Sequence, residues 1–198
     1  MRDQHSANNF IVLLRHGEST WNQSHLIQGQ NDEATLTEKG REQARLAGVT
    51  LREHHFDAII SSDLARTFET AQIAGNELGL TFDVALGLRE RNYGVLEGRP
   101  ASELTTAQSG IEGYRVVDED ASPPEGESLR QLHRRAGNFM EELRDRDGQR
   151  LLLVTHGGTI RAIRAYCDGV SMMNLEWDRV RNCSIWNVRL PPPAPRPL

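Results

Sequence analysis

Three short polar clusters in this chain of 198 residues supply two histidines, two arginines and a pair of glycines. Arginine guanidinium groups match the oxygens of a phosphate group, and a neutral imidazole can attack phosphorus as a nucleophile. Glycines that open a helix expose backbone N–H donors and a dipole that favours an anion. These residue types predict a site that binds and transfers a phosphoryl group. The clusters are residues 15–22 (RHGESTWN), 61–67 (SSDLART) and 155–159 (THGGT).

Taken singly, each of these residues also has an ordinary structural interpretation. A histidine after a strand commonly forms a structural hydrogen bond, and Arg66 on a helix commonly forms a surface ion pair. Gly157 and Gly158 are equally compatible with a tight turn. The functional interpretation therefore depends on whether the fold brings the three clusters to one place.

The elements that would position the clusters are visible as apolar patterns. Short apolar runs with β-branched residues predict buried strands, and apolar residues at helical spacing predict helices. The second helix is expected to begin at Ser62 or Asp63, and its predicted inner face is Leu64, Phe68, Ala71, Gly75 and Leu78. The predicted strands are residues 10–14, 58–60, 82–88, 151–154 and 184–190. The predicted helices are residues 37–53, 63–78, 128–144 and 158–167.

Strands and helices alternate through most of the chain, which predicts one domain over residues 1–198. The expected fold is a three-layer α/β/α sandwich with a mostly parallel sheet and helices on both faces. Each polar cluster follows a strand, and the carboxyl ends of parallel strands form the site in such sheets. Residues 91–127 lack periodicity and predict a small cap insertion, with a short helix near 101–108. The tails, residues 1–8 and 191–198, are expected to be disordered.

Composition narrows the class of partner. The formal net charge is -5 and the sequence pI is about 5.8, which argues against nucleic acid or an anionic membrane as the main partner. No apolar run reaches the roughly 18 residues that a membrane span needs, and the polar N-terminus lacks a signal-peptide pattern. We therefore expect a cytoplasmic protein. Its two cysteines, Cys167 and Cys183, match no zinc or redox spacing.

The same clusters resemble the signature of the histidine phosphatase superfamily, the phosphoglycerate mutase-like group. Residues 15–18 (RHGE) with Trp21 and Asn22 match its first block, 61–67 its second and 155–158 (THGG) its last. Further matches occur between them and in the same order as in the family, from residue 10 to about 165. They are residues 36–40 (LTEKG), 43–44 (QA), 69–70 (ET), 88–94 (LRERNYG), 97–98 (EG) and 126–128 (GES).

The resemblance assigns catalytic roles to five residues. It implies that His16 is the nucleophile that forms a phosphohistidine, and that Arg15, Arg66 and His156 bind the phosphoryl group and stabilise its charge. It implies that Glu90 first protonates the leaving oxygen and then activates water. Without the family pattern, Glu90 could not be chosen over Glu97. The resemblance also implies substrate-binding roles for Asn22, Gln28, Gly29, Arg91, Tyr93 and Gly157.

No metal or cofactor is expected. A metal site would have to use His16, Glu90 and His156 as ligands, and two flanking arginines would repel a cation. The arginines themselves can neutralise the phosphate, and the imidazole is already a nucleophile.

Within the family, the sequence favours a phosphatase over a mutase. Mutases resemble one another in a lysine after the third block, an arginine pair in the insertion, and asparagine after His-Gly in the last block. In this chain, Ala101 stands near the lysine position, residues 100–127 hold one arginine, and Gly158 follows Gly157. Fewer cations for a second acidic group favour water as the phosphoryl acceptor. A phosphoglycerate mutase and a non-catalytic phosphate-binding module remain alternatives.

The substrate is expected to be a small phosphomonoester, such as a sugar phosphate, a phosphoglycerate-type acid or the nucleotide-like phosphate of cobamide synthesis. The acidic residues of the cap disfavour a highly anionic substrate, unless they are merely solvated. These residues are Glu103, Glu112, Asp118, Glu119 and Asp120. A homodimer is common in the family and is an open expectation here.

Overall fold

The computed structural model describes residues 10–105, 118–146, 148–175 and 179–192, which form a five-stranded sheet covered by helices. The strand order is β3-β2-β4-β1-β5; the first four strands are parallel, and β5 is antiparallel to β1. The predicted sandwich with a mostly parallel sheet is therefore confirmed. The strands are β1 (Phe10–Arg15), β2 (Ala58–Ser61), β3 (Phe82–Val84), β4 (Arg150–Thr155) and β5 (Ile185–Val188).

The helices pack in two pairs on opposite faces of the sheet. Helices α2 and α3 cover one face, and α4 and α5 cover the other. A one-turn helix, α1, follows β1. No helix in the described ranges is long and apolar enough to cross a membrane. The bounds are α1 (Thr20–Gln23), α2 (Glu38–Leu51), α3 (Ala65–Leu78), α4 (Leu129–Glu142) and α5 (Gly157–Asp168).

The two faces explain why the central strands are apolar throughout. In β1, Ile11 and Leu13 pack in the core under α4 and α5, whereas Val12 and Leu14 pack under α2 and α3. Strand β4 repeats this alternation with its own leucine and valine residues. A parallel sheet that is covered on both faces requires apolar residues at every position. This burial holds the carboxyl ends of β1, β2 and β4 side by side.

Two helix starts agree with the sequence. The Thr37 hydroxyl accepts the N–H of Gly40 at 3.0 Å, and Ser128 caps α4 in a capping box with Gln131. The predicted cap of α3 is wrong: its N-cap residue is Leu64, and the N–H of Ala65 donates instead to Asp32. Neither predicted cap residue caps the helix because each side chain has another partner: Ser62 contacts His156, and Asp63 pairs with Arg89.

The edge of the sheet departs from the prediction. Strand β3 ends at residue 84, and residues 86–88 form a 3-10 turn instead of continuing the strand to residue 88. Phe68, predicted to face the core, is 43% exposed and packs edge-on against Phe82 with ring centroids 4.9 Å apart. An edge strand of three residues leaves too little sheet for α3 to cover there. Strand β5 is likewise shorter than predicted.

The predicted insertion, which we call the cap (residues 91–105 and 118–127), contains only short 3-10 turns. These are Gly94–Leu96 and Ala101–Thr105; residues 106–108 of the predicted short helix lie outside the described ranges. The N–H of Gly98 donates to Ile27, and Leu26 forms a bridge with Pro100. These bonds hold the cap against the loop after α1. Tail residues 1–8 and 193–198 also lie outside the described ranges.

Candidate active site

His16 and His156 lie next to each other because they follow neighbouring strands. His16 follows β1 and His156 follows β4, and the His16 N–H donates to the carbonyl of Thr155 at 3.0 Å. The two imidazole rings have centroids 5.3 Å apart, and both side chains are buried. The sheet register thus brings together two residues that are far apart in sequence.

The protonation state of His16 can be read from its hydrogen bond. Its Nδ1 lies 2.7 Å from the carbonyl oxygen of Gly17, which can only accept, so Nδ1 carries the proton and Nε2 keeps its lone pair. Burial, and then the charges of Arg15 and Arg66, lower the pKa of His16 well below its ordinary value. The ring is therefore neutral at pH 7 and can act as a nucleophile at Nε2.

Arg66 is fully buried at the start of α3. Its Nη1 donates to the carbonyl of Asn31 at 3.0 Å and its Nη2 to that of Gly29 at 2.6 Å. Gly29 has a φ of 50°, a left-handed conformation that favours glycine, and it contributes its backbone to the site. Burial lowers the pKa of Arg66 to about 10, which leaves the guanidinium charged at neutral pH.

Arg15 is held in a similar way. Its Nη1 donates to the carbonyl of Val180 at 2.6 Å, and burial lowers its pKa to about 10. A Cβ added to Gly157 would lie 3.7 Å from Arg15 Nε, so the backbone at the start of α5 lies close to this guanidinium. The predicted neighbours Arg15, His16, His156 and Gly157 are therefore together.

Three buried polar atoms around His16 lack a partner in the described part of the chain: the Nε atoms of Arg15 and Arg66, and Nδ1 of His156. The other ring nitrogen of His156 lies 3.0 Å from the hydroxyl of Ser62. When that hydroxyl donates, Nδ1 of His156 carries a proton. Buried donors without partners are costly, so this arrangement suits an anion that would accept from all three.

Glu90 lies at the N-terminus of α5. Its Oε2 accepts the N–H of Gly158 at 3.0 Å and its Oε1 that of Arg91 at 2.8 Å. A Cβ at Gly158 would lie 2.3 Å from Glu90 Oε1, so the missing side chain makes room for the carboxylate. Glu97, by contrast, accepts the N–H groups of Gln30 and Tyr93 in the loops. The structure thus separates two carboxylates that the residues alone do not distinguish.

The side chains of Asn22 and Gln28 both accept hydrogen bonds from Ser19. The Ser19 hydroxyl donates to Gln28 Oε1 at 2.8 Å, and the Ser19 N–H donates to Asn22 Oδ1 at 3.1 Å. Both side chains therefore sit around α1, directly after His16.

Arg91 and Tyr93 lie at the base of the cap. Arg91 is buried; its Nε donates to the carbonyl of Glu127 at 2.7 Å, and its guanidinium carbon stacks 5.1 Å from the centre of the Tyr93 ring. Burial raises the pKa of Tyr93. These two residues join the halves of the cap, and a contact with substrate stays a prediction for them.

Sequence reasoning missed the supporting roles of four residues around the site. Arg135 on α4 donates to the carbonyls of residues 87, 89 and 90 and pairs with Glu127 at 2.8 Å, which positions the segment that carries Glu90. Ser62 contacts His156, and Asp63 pairs with Arg89, so neither side chain caps α3. Asn182 bonds to the His16 carbonyl. Nothing in their local sequence signals these roles, except that residues 62 and 63 lie within a recognised cluster.

The residues described in the structure contain no group of three histidine, cysteine, aspartate or glutamate side chains arranged to hold a metal ion. The charges that act on the two histidines are instead those of arginines, Arg15 and Arg66 on both and Arg135 on His156, while Glu90 acts on the two arginines. The positive charge that the site offers to a ligand therefore comes from guanidinium groups.

Comparisons with known proteins place the chain among phosphatases, hydrolases and mutases. The probable phosphoglycerate mutase GpmB of Yersinia pestis is 38% identical over 187 residues, which cover 90% of this chain and 83% of the relative. The structure of a mycobacterial glucosyl-3-phosphoglycerate phosphatase with VO3 is 30% identical, with a TM-score of 0.78 and coverage of 90% and 92%. Mycobacterial hydrolase 1 is 31% identical, with a TM-score of 0.74 and coverage of 84% of both chains.

The model of one protein family spans nearly all of the chain. It is described as the histidine phosphatase superfamily (branch 1), and it matches residues 11–196. The match includes the strands that carry His16 and His156, the start of α3 and the segment with Glu90. The protein therefore belongs to the histidine phosphatase superfamily.

Proposed function

We propose that the protein is a phosphatase that hydrolyses a small phosphomonoester through a phosphohistidine on His16. The observation that carries this proposal is the neutral His16 ring, with Nε2 available, among three buried nitrogens without partners, on Arg15, Arg66 and His156. A phosphoryl group placed there would accept from the two arginines, and from His156 in the tautomer with Nδ1 protonated, while its phosphorus faces the nucleophile. Neutralisation of its charge comes from the arginines, so the chemistry needs no metal.

The first step transfers the phosphoryl group to the enzyme. The Nε2 lone pair of His16 forms the N–P bond as the ester P–O bond breaks, and Glu90 in its acid form gives a proton to the departing oxygen. In the second step, the Glu90 carboxylate takes a proton from water, whose oxygen attacks phosphorus. The N–P bond breaks, and inorganic phosphate and neutral His16 result.

The named relatives favour hydrolysis over transfer to a second substrate, although they do not all agree. Two of the similar solved structures are a phosphatase and a hydrolase, whereas the Yersinia relative bears the name of a mutase. Mutases of the family tend to have asparagine at the position of Gly158. In this protein the Glu90 carboxylate fills the space that a side chain at this position would need. We therefore place hydrolysis first and keep phosphoglycerate mutase activity as the second candidate.

The charges of the cap no longer argue strongly against an anionic substrate. Glu119 and Asp120 pair with Arg130, and Glu103 pairs with Arg99, so the negative charge of each of these carboxylates is offset by a neighbouring arginine. Glu112 lies outside the described ranges. A small metabolite with a second acidic group thus remains within the proposed substrate class. The cytoplasmic location and the homodimer also stay predictions.

Phosphate release from a panel of phosphomonoesters, measured with a chelator present and no added metal, tests the proposal. The panel includes 3-phosphoglycerate, and the product is examined for both free phosphate and isomerised phosphoglycerate. The acid-labile label left by a phosphorus-32 substrate should appear on the wild type and be absent from His16→Ala. Isomerisation without release would favour the mutase, and neither product would contradict both catalytic candidates.

A further inference from the structure

The side-chain amide of Asn22 is held in one orientation. Its Oδ1 accepts the N–H of Ser19 at 3.1 Å, and a backbone N–H can only donate, so the atom that faces it must be the oxygen. The Nδ2 of Asn22 therefore points to the other side of the amide. Within the described residues it has no protein acceptor, which leaves two N–H donors for a ligand.

Asn182 adds a second donor to the same oxygen. Its Nδ2 lies 3.0 Å from Asn22 Oδ1 and 3.1 Å from the carbonyl oxygen of His16. The carbonyl can only accept, so the amide orientation of Asn182 is also determined. Both of its N–H groups are thus used, one on Asn22 and one on the backbone of the nucleophile.

The segment that carries Asn182 makes several contacts with the first cluster. We call residues 179–184 the strap. The carbonyl of Val180 accepts from Arg15 Nη1, the N–H of Cys183 donates to the His16 carbonyl, and the carbonyl of Ser184 accepts the Arg15 N–H. Through Asn182, the strap also bonds to the side chain of Asn22, which lies six residues after His16 in the sequence.

We propose that Asn182 is a positioning residue for phosphoryl binding, which it promotes by keeping Asn22 Oδ1 away from the ligand and Nδ2 towards it. The proposal rests on the phosphoryl site described above and deepens it. If the Asn22 amide turned over, its oxygen would face the anionic oxygens of a phosphoryl group and repel them. Ser19 resists this turn with its N–H and with a hydroxyl that it shares between Asn22 Oδ1, at 3.2 Å, and Gln28 Oε1, at 2.8 Å; Asn182 supplies a further donor from a distant segment.

The expected effects follow from what each substitution removes. Asn22→Ala deletes the donor to the ligand, and a hydrogen bond to a charged group corresponds to a loss of roughly 30-fold in affinity. Asn182→Ala leaves the Ser19 bond in place, so we expect a smaller loss, roughly tenfold. Because Asn182 acts through Asn22, it should have almost no effect once Asn22 is gone.

A double-mutant cycle that measures binding tests this inference directly. The dissociation constant of inorganic vanadate is determined by calorimetry for the wild type, Asn22→Ala, Asn182→Ala and the double variant. Asn187→Ala, an exposed asparagine on β5, is the matched control and should bind as the wild type does. Support is a double variant within about twofold of Asn22→Ala. Additive losses, or unchanged affinity in Asn182→Ala, would overturn the proposal.

A second variant distinguishes the proposed positioning role of Asn182 from a purely structural role in packing the strap. Asn182→Asp keeps the size of the side chain but places a carboxylate oxygen against Asn22 Oδ1, which favours the turned amide. We expect it to bind vanadate less well than Asn182→Ala, and to lose most of that difference when Asn22 is alanine. A role limited to packing the strap predicts the opposite order, with Asp closer to the wild type.

These outcomes separate the inference from the proposed function. A wild type that binds vanadate with the expected coupling but releases no phosphate would leave the inference in place and contradict hydrolysis. A wild type that releases phosphate but shows no coupling would contradict the inference alone. A wild type without vanadate affinity would overturn both.

Discussion

The phosphoryl-binding end of the sheet and the cap are stabilised by different interactions. At the sheet end, His16, Arg66 and His156 are almost completely buried, and their positions follow from strand pairing and from bonds to backbone carbonyls. In the cap, short 3-10 turns and partly exposed ion pairs predominate, such as Arg99–Glu103 within it and Asp120–Arg130 between it and α4. Buried groups with several partners are costly to displace, whereas exposed ion pairs contribute little.

Each of the two regions therefore has its own expected contribution to activity. In the proposed mechanism, the buried end provides the chemistry common to any phosphomonoester, since it holds the nucleophile and the phosphoryl group in one geometry. The cap, which is bonded to the loop after α1, is less constrained, and we predict that it distinguishes substrates. Substitutions at the buried end should therefore change turnover for every substrate, and substitutions in the cap should change preference.

The largest effect is expected at the nucleophile. His16→Ala should lower phosphate release by at least about 10⁴-fold on every substrate, because it removes the nitrogen that forms the covalent intermediate in the proposed mechanism. Circular dichroism should show an intact fold. His133→Gln, on α4 and outside the cluster, is the control with wild-type turnover. Comparable activity in His16→Ala would remove the covalent mechanism.

The second effect concerns the buried guanidinium of Arg66. Arg66→Lys keeps the charge but loses the planar guanidinium, whose Nη1 and Nη2 bond to two carbonyls while Nε stays available for the ligand, so we expect turnover to fall by roughly 10²-fold. Arg41→Lys, in a surface pair with Glu69 and Glu38, should change it by less than about twofold. Equal effects of the two substitutions, measured by steady-state kinetics, would contradict the contrast between buried and exposed charges.

The third prediction concerns how the stability of the fold depends on pH. His16 and His156 have pKa values lowered well below the ordinary 6.5, mainly by burial, so below that pH the unfolded chain binds more protons than the folded one. Stability should therefore fall as pH decreases below 6.5, by up to about 1.4 kcal/mol per pH unit for each histidine. Urea unfolding at pH 7.5, 6.0 and 5.0 measures this. His16→Ala should lose less than the wild type; an equal loss would place the cause elsewhere.

A smaller effect separates the two neighbouring glycines. Gly158→Ala puts a methyl group where the Glu90 carboxylate lies, and the flexible end of that side chain can move, so the fold should persist. We expect phosphate release from alkyl phosphates to fall roughly tenfold, with less loss on an activated aryl phosphate that needs no acid. In Gly157→Ala the methyl group would lie against Arg15 and not against Glu90, so any loss there should be alike on both substrates. The same preference for the aryl phosphate in both variants would contradict the role given to Glu90.

The smallest effect is expected in the cap. Arg130→Ala breaks the pairs with Glu119 and Asp120 but touches none of the catalytic residues. Vanadate affinity should stay within about twofold of the wild type, while the ratio of kcat/KM between two phosphomonoesters should shift by a few fold. A loss of vanadate affinity of the size seen for Arg66→Lys would show that the cap and the buried end are not independent.

Most of the sheet and the main catalytic set could be predicted from the sequence, because both leave local signals. Apolar runs identify β1 and β4, and Thr37 and Ser128 identify two helix starts. The predicted start of α3 is wrong for a physical reason. Ser62 and Asp63 have residue types that commonly cap helices, but their side chains bond to His156 and Arg89 instead. Phe68 was misplaced because helical periodicity does not reveal where a sheet ends.

The sequence by itself determined the residue types of the site, their order and the alternation of strands and helices, because side-chain chemistry and hydrophobic periodicity are local properties. The fold separates Glu90 from Glu97, which do not differ in type: the Glu90 carboxylate accepts the N–H of Gly158, and that of Glu97 accepts the N–H groups of Gln30 and Tyr93. Tertiary structure alone decided that Arg135 and Asn182 support the site, because their partners lie far away along the chain. Hydrogen bonds between distant segments depend on where the sheet places them, and a linear pattern does not contain that information.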